Sequence, residues 1–459
     1  MNERDSEIME HLLYSCGYVP VESMDNADLI LLNTCSIRAK AEQKVFSLLG
    51  QLRKQKERQP DLRIGVAGCV AQQEGREIFK RMPHVDLVIG TQQFYQLPDM
   101  LMRLEDGTST REISCDLDRS FTIPPFQQLL QQQPAADRPP LPLTDKKNQK
   151  NKKNKNKHQE ISKFVTIMQG CNNYCSYCVV PHTRGREVSR PVADILEEVA
   201  MLARRGVREI TLLGQNVNSY GSTNQVADKP TGFADLLRKV AETEGIKRIR
   251  FTSSNPQDLS MDLMQCFKDI PSLCPHFHLP AQSGSNRVLK KMGRKYSREL
   301  YLEKIDKLRS ICPEIAISTD IIVGFPGESD RDFAQTMDLL ETVRFHSSFS
   351  FKYSDRPGVR SADFPHKVDE LTKGERLQQF QHRQDQISLE RNQEMVGATL
   401  EVMVESNAQG MVKSRTGSNH IVHLSKIGAG VIAGDIVKVR ITKAGRHSLQ
   451  GEPTIVSES

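Results

Sequence analysis

The spacing of apolar and polar positions divides the chain into three segments with different periods. Over residues 1–118, helical spacing alternates with short apolar runs. Ile8, Leu12 and Leu13 recur at helical intervals in residues 5–16, which stop at Gly17. Strands are expected at 27–32, 62–67 and 85–90, and helices at 39–52 and 74–81. Apolar runs alternating with helices predict a parallel sheet covered on its faces. Residues 161–355 repeat a strand–loop–helix unit, with strands expected at 164–168, 209–213, 248–252, 277–279, 315–323 and 348–353. Amphipathic helices intervene, such as 192–205, which Pro191 introduces and Gly206 closes. Six such units predict a barrel or partial barrel whose site lies at the carboxyl ends of its strands. Residues 371–394 are a long, highly charged helix, expected to be solvent-bridging. Beyond Gly397 the period becomes two, at 400–404, 411–413, 420–424 and 436–441 with glycines between, the pattern of a small all-β barrel or sandwich.

The expected fold class is therefore α/β. An N-terminal parallel α/β domain (1–118) is followed by a low-complexity linker (119–160), a central partial (β/α)6 barrel (161–390) and a small C-terminal β-barrel (394–456). Residues 126–160 hold a Gln run, a Pro-rich piece and a Lys/Asn tract, a composition that cannot bury a core.

Composition changes this picture in two places. The chain carries a net charge of +6, but residues 146–157 alone contribute seven lysines, so the remainder sums to −1 (6 minus 7). Any case for nucleic acid must be local. It is strongest over residues 411–447, where Lys413, Arg415, Lys426, Lys438, Arg440, Lys443 and Arg446 stand against Asp435 alone, so that the barrel reads as an RNA-binding module. The first residues lack the apolar core of a signal peptide, and no apolar run approaches the roughly 18–20 residues of a membrane span. Ten cysteines without a disulfide-framework spacing suit a reducing, cytoplasmic compartment.

The chemistry is concentrated in Cys171, Cys175 and Cys178, spaced C-x3-C-x2-C directly after the strand expected at 164–168. Thiolates ligate soft metals and iron–sulfur clusters, and a cubane held by three of them keeps one iron open to a small molecule. The competing reading is a structural Cys3His zinc site with His182. Such sites usually use two separated ligand pairs, and no second pair stands nearby. Cys35 and Cys69 each end an expected strand, on the side where parallel sheets bind ligands. Polar or Gly-rich stretches follow later strands: Gly214-Gln215-Asn216, Ser253-Ser254-Asn255, Gln282-Ser283-Gly284-Ser285 and Gly324-Phe325-Pro326-Gly327-Glu328. Cys266, Cys274 and Cys312 share no spacing and read as packing residues. His276 and His278 share one strand face, and hydrogen bonding within the strand is their expected role.

The cysteine loop opening a six-unit β/α repeat resembles the radical S-adenosylmethionine enzymes, and more closely their methylthiotransferases. The similarity extends along 170–177, 179–187, 213–221, 278–292 and 33–38, and the basic barrel is similar to a TRAM RNA-binding domain. The resemblance implies that Cys171, Cys175 and Cys178 hold a [4Fe–4S] cluster whose open iron chelates S-adenosylmethionine. Reductive cleavage then gives a 5′-deoxyadenosyl radical that takes the hydrogen from adenine C2. It places Gly214, Gln215 and Asn216 beside the methionine amino group, and Gln282 near the nucleoside.

The resemblance further implies a second [4Fe–4S] cluster on three cysteines as the sulfur donor. Cys35 and Cys69 match two of them, and the third is expected two residues before Met1, the start being read as internal. Cys16 is a poor substitute, and Cys115 stays open. The implied substrate is N6-(dimethylallyl)adenosine at position 37 of tRNA, methylthiolated at C2. The implied partners are tRNA, S-adenosylmethionine and a reductant such as flavodoxin or ferredoxin, with the enzyme a cytoplasmic monomer. Rival substrates are threonylcarbamoyl-adenosine tRNA and a ribosomal-protein aspartate. Readings of a different class are an iron–sulfur tRNA-binding protein without catalysis and a zinc-stabilised RNA-binding protein.

Overall fold

The computed structural model describes residues 1–35, 39–125, 160–223, 231–408, 411–425 and 430–454. The Lys/Asn tract, residues 36–38 and Lys426 lie outside them. The chain divides into two compact units, one of residues 1–142, 168–194 and 354–362, the other of 143–167, 195–353 and 363–459.

The first unit is built on a parallel sheet of β1 (Leu29–Thr34), β2 (Arg63–Gly68), β3 (Leu87–Ile89) and β4 (Glu112–Ser114), in that order. Its helices are α1 (Asn2–Ser15), α2 (Ala39–Arg58), α3 (Cys69–Glu74), α4 (Glu77–Arg81) and α5 (Leu97–Glu105). One sheet face buries Ile30, Ile64, Val66 and Val88 with Phe46, Leu49 and Leu52 of α2. The other buries Ala67, Leu87 and Ile89 with Met9 of α1 and Leu97, Met100, Leu101 and Leu104 of α5. Two faces covered by helices are what near-continuous apolar strands require. The helix expected over 74–81 is instead two, because Gly75 adopts φ +51° between them, and the first begins at Cys69. β4 was not expected, since Glu-Ile-Ser is too short and polar to read as a strand.

In the second unit, β5 (Ser162–Thr166) starts a parallel sheet; in chain order it is followed by an antiparallel ribbon of the first unit, β6 (Met168–Gln169) with β7 (Val188–Ser189). β5 pairs with β8 (Glu209–Leu213), which pairs with β9 (Arg248–Phe251). A second parallel sheet contains β10 (His276–His278), β11 (Ala316–Val323) and β12 (Ser347–Lys352). A parallel bridge between Ile249 and Leu273 links the two sheets, which gives the six strands of the expected partial barrel. Phe251 packs on Phe233, Phe267 and Phe277 at centroid distances of 5.0–5.9 Å, so this face of β9 and β10 meets the helices Phe233–Ala241 and Met261–Asp269. By alternation Arg248, Arg250, His276 and His278 take the opposite, concave face.

The C-terminal strands β13 (Thr399–Ala408), β14 (Met411–Thr416), β15 (Ile421–Leu424), β16 (Ile436–Ala444) and β17 (Ser448–Pro453) close a barrel in the order β13-β14-β15-β17-β16. Val402, Val404, Val412, Val422, Leu424, Val439, Ile441 and Leu449 fill it. It is anchored by strand β9, for Arg248 donates to Arg415 O (2.6 Å), and Arg250 to Gly417 O and Thr416 O (both 2.8 Å) and to Glu209 Oε2 (3.0 Å).

The charged helix Glu370–Gln393 does not bridge through solvent. Phe380 and Ile387 are fully buried. Gln384 donates to Phe345 O (2.8 Å), Ser388 to His346 O (2.9 Å) and Asn392 to Gly445 O (2.7 Å). Its polar residues are therefore partners for carbonyls of other segments, not a solvated face. No helix of the described residues is long and apolar enough to cross a membrane.

Candidate functional site

The cysteine loop of the first unit is held from three directions. Gly170 has φ +81°, and a Cβ there would stand 2.0 Å from Arg186 O, so only glycine lets the loop approach residues 184–187 this closely. Cys171 N donates to Gly185 O (3.3 Å), and Glu187 N donates to Asn172 Oδ1 (3.2 Å). A turn closes between Cys178 N and Cys175 O (3.1 Å) around Ser176 and Tyr177, just after Tyr174, whose φ of +47° is rare for a large side chain. From residues 354–362, Arg360 donates to Tyr174 O (2.9 Å) and Ser361 N to Ser176 O (2.9 Å). Neither residue stands out in the sequence, which carries no local signal for them.

All three cysteines are half-buried. Burial pushes the Cys171 thiol up, opposed by hydrogen bonds from the Asn173 backbone and side chain. Among the described residues no three His, Cys, Asp or Glu side chains converge on one point. Three soft donors on a loop pinned at both flanks fit the cubane.

Cys35 and Cys69 come together as the strand pattern requires. Thr34 pairs with Gly68 at the ends of β1 and β2, ~4.8 Å apart as in any sheet, and Cys35 and Cys69 are the next residues along the two chains. Gly68 has φ +88°, and a Cβ would meet Asn33 Oδ1 at 2.5 Å. Asn33 Oδ1 is itself buried without a partner. Asn33 Nδ2 donates to Asn2 O (2.7 Å), which puts the amino end of α1 on this side of the sheet. Cys16, at the far end of that 14-residue helix, lies about 21 Å away along its axis and is exposed. Cys115 follows β4, donates to Ala71 O (3.4 Å), and burial pushes its thiol up to about 12. Cys115 behaves as a packing residue, as do the buried Cys266, Cys274 and Cys312.

A third feature of the first unit escaped the sequence. Arg184 and Asp5, each only 4 % exposed, form a two-pronged ion pair.

In the second unit, Gly214, Gln215 and Asn216 follow β8. Asn216 is buried, and its amide donates to Asp258 Oδ2 (2.7 Å), which leaves Asn216 Oδ1 without a partner. Ser254 Oγ, after the neighbouring β9, and Asn218 Oδ1 are likewise buried and unpartnered. Buried polar atoms normally have partners, so orphans gathered at adjacent strand ends fit a polar ligand such as the aminoacyl end of S-adenosylmethionine. Gln282 is buried after β10 with φ +66° and is bridged to Ile321 of β11, a strained backbone of the kind found at binding sites. Deeper on the concave face, His278 bonds Ser318 Oγ (3.0 Å) and faces Asp320 (3.5 Å), the hydrogen-bonded strand histidine that was expected.

Two family models match the chain: the radical SAM superfamily over residues 165–340, and the uncharacterized protein family UPF0004 over residues 1–90. Full-length relatives are similar throughout. The tRNA-2-methylthio-N(6)-dimethylallyladenosine synthase of Desulfotalea psychrophila is 55% identical over 100% of this chain and 97% of its own length. The enzymes of that name from Syntrophobacter fumaroxidans and Syntrophotalea carbinolica are 47% and 44% identical, over 98% of this chain and 93% and 97% of theirs. With identity of this order across both cysteine sites and the C-terminal barrel, the chain belongs to the tRNA-2-methylthio-N(6)-dimethylallyladenosine synthase family of radical S-adenosylmethionine enzymes.

Proposed function

We propose that this protein methylthiolates C2 of N6-(dimethylallyl)adenosine at position 37 of tRNA. The observation that carries the reading is the pinned loop of Cys171, Cys175 and Cys178, whose three thiols are the soft donors that a cluster open to S-adenosylmethionine requires. When bound, that cluster supplies the electron for reductive cleavage of S-adenosylmethionine. The protein's own part is placement. Residues 184–187 and 360–361 hold the loop, and Asn216, Asn218 and Ser254 offer buried polar atoms to the aminoacyl group. Gly214 and Gln215 are assigned to the same ligand, and Gln282 to the nucleoside.

Cys35 and Cys69 are assigned to a second cluster, the sulfur donor, on the chemistry of two thiolates that follow neighbouring strand ends. The C-terminal barrel is assigned to tRNA as a TRAM-like module. Lys438, Arg440 and Lys443 are exposed along β16, whereas Lys413 and Arg415 are paired with Glu405. Phosphate contacts through β16 would make tRNA affinity fall with salt. A low-potential carrier such as flavodoxin or ferredoxin is assigned as reductant to a monomeric, cytoplasmic enzyme.

The test is anaerobic turnover of the reconstituted protein with tRNA carrying N6-(dimethylallyl)adenosine, followed by mass spectrometry of nucleosides and 5′-deoxyadenosine. The methylthio product should form with this tRNA and not with threonylcarbamoyl-adenosine tRNA. Cys175→Ala should abolish both product and 5′-deoxyadenosine, and cleavage retained in that variant would overturn the assignment of the loop.

A further inference from the structure

The concave face of the second unit's strands is covered at one end and lined at the other by groups that no ligand assignment uses. Residues 416–420 of the C-terminal barrel cover the first end. Arg250 of β9 donates to Thr416 O and Gly417 O (both 2.8 Å), and a Cβ on Gly417 would stand 3.2 Å from Pro275 Cδ, just before β10. The His420 ring meets that of His346, just before β12, at a centroid distance of 5.7 Å. With the amino ends of these strands covered, the concave face opens toward their carboxyl ends.

Strand register sets the side chains along that face. His278 lies beside Ser318, and two residues further on Asp320 lies beside Phe349. Residues in register on neighbouring strands share a face and stand ~4.8 Å apart. Gln381, from the helix Glu370–Gln393, donates to Ser350 Oγ (3.2 Å), so that helix takes the other face of β12 and Phe349 is turned away from it. His278 Nδ1 bonds Ser318 Oγ (3.0 Å), its Nε2 faces Asp320 Oδ1 (3.5 Å), and its ring meets that of Phe349 at 6.0 Å, edge to face. Gln282 N donates to Asp320 O (2.8 Å), which brings the residue assigned to the nucleoside to the same height. Even so, the Asp320 side chain is 30% exposed and Phe349 is 54% exposed. A phenyl ring left open beside a carboxylate adds little to the fold. Together they offer a flat apolar face and an acceptor, which is what an unstacked base with one donor asks for.

We propose that Phe349 and Asp320 form the subsite for the target base, the Phe349 ring stacking on the adenine and the Asp320 carboxylate, positioned by His278, accepting from its N6–H. A carboxylate only accepts. N6–H is the one N–H that N6-(dimethylallyl)adenine presents once it is joined to ribose, since N1, N3 and N7 are acceptors. The inference rests on methylthiolation of that base as the function proposed above.

The test uses the reconstituted full chain and an anticodon stem–loop RNA carrying N6-(dimethylallyl)adenosine, beside the same RNA carrying N6-methyl-N6-(dimethylallyl)adenosine, which has no N6–H. Phe349→Ala should raise KM for the first RNA about tenfold, the loss of one base–aromatic stack. Phe349→Tyr keeps a ring and should recover most of it, whereas Phe349→Leu, apolar without a ring face, should not. Because the side chain is more than half exposed, the urea midpoint should not move with KM. The parent should prefer the RNA with N6–H by about tenfold or more, the worth of a hydrogen bond to a charged group. Asp320→Ala should treat the two RNAs alike, and Asp320→Asn, which keeps an acceptor, should retain part of the preference. A parent-like KM in Phe349→Ala, or a full preference for N6–H in Asp320→Ala, overturns the subsite and leaves the proposed function standing. A parent that forms no methylthio product on the first RNA overturns both.

Discussion

Arg250→Ala tests what fastens the C-terminal barrel to the catalytic barrel. The Arg250 and Glu209 side chains are 8% and 10% exposed, and three hydrogen bonds of 2.8–3.0 Å leave the guanidinium, two of them to the β14–β15 turn. Hydrogen bonds to a charged group are worth about 1.5–3 kcal/mol each, a gross loss of about 4.5–9 kcal/mol. Part is returned, because the guanidinium no longer has to be kept out of water, and removing one partner of a buried pair typically costs about 3–5 kcal/mol. That is a large share of the roughly 5–15 kcal/mol that holds an ordinary domain. The loss should appear in a urea titration, and amide hydrogen exchange should show it first where the turn 416–420 meets β9. Much of the cost is a stranded Glu209 carboxylate, so Glu209→Ala/Arg250→Ala should be less destabilised than the sum of its singles by about 1–3 kcal/mol. A single-variant loss below about 1 kcal/mol, or strict additivity, would refute the idea that this triad is the joint. Deleting residues 397–459 is for the same reason not a clean test of tRNA binding, since it would strand Arg248 and Arg250 as well.

Two further outcomes follow from the site and its surroundings. Cys69→Ala should lower reconstituted iron by about four per chain, one cubane, and stop methylthio transfer while 5′-deoxyadenosine still forms; unchanged iron would remove Cys69 from the ligands. Acid should loosen the same joint that Arg250 holds. Burial first, then neighbouring cations such as Arg391 and Arg415, depresses His346 to about 3 and His420 to about 4. An unfolded histidine titrates near 6.5, so the unfolded chain takes up protons first; this stability is complete above about pH 6.5 and is lost as pH falls toward 4. Urea midpoints between pH 7 and 4.5 should fall more steeply for the parent than for His420→Gln, and parallel curves would contradict the assignment.

What could be read from the sequence follows from how local each feature is. The strands before Cys35, Cys69 and Asn216 were legible as apolar runs, the run expected at 164–168 is divided between β5 and β6, and the cysteine loop was legible because its three thiols lie within eight residues of one another. The pairing of Cys35 with Cys69 needed one added rule, that parallel strands end on a common side. It held because β1 and β2 are neighbours in register. β4 and β17 were missed because Glu-Ile-Ser and Ser-Leu-Gln-Gly-Glu-Pro carry too little apolar pattern to stand out from loops. Periodicity shows which face of an element a residue takes, and is silent on what waits there. Arg248 and Arg250 alternate with Ile249 and Phe251 as on a half-exposed strand, yet their polar face meets carbonyls from about 165 residues further on. The helix Glu370–Gln393 misled for the same reason, since its Gln, Ser and Asn satisfy backbone carbonyls 39–53 residues away. Arg184 is the extreme case, with its carboxylate partner 179 residues distant. Three thiols within eight residues announce soft-donor chemistry from the sequence alone. The groups that hold and charge-balance a ligand need only be polar and present, so they are found by the fold that brings them there.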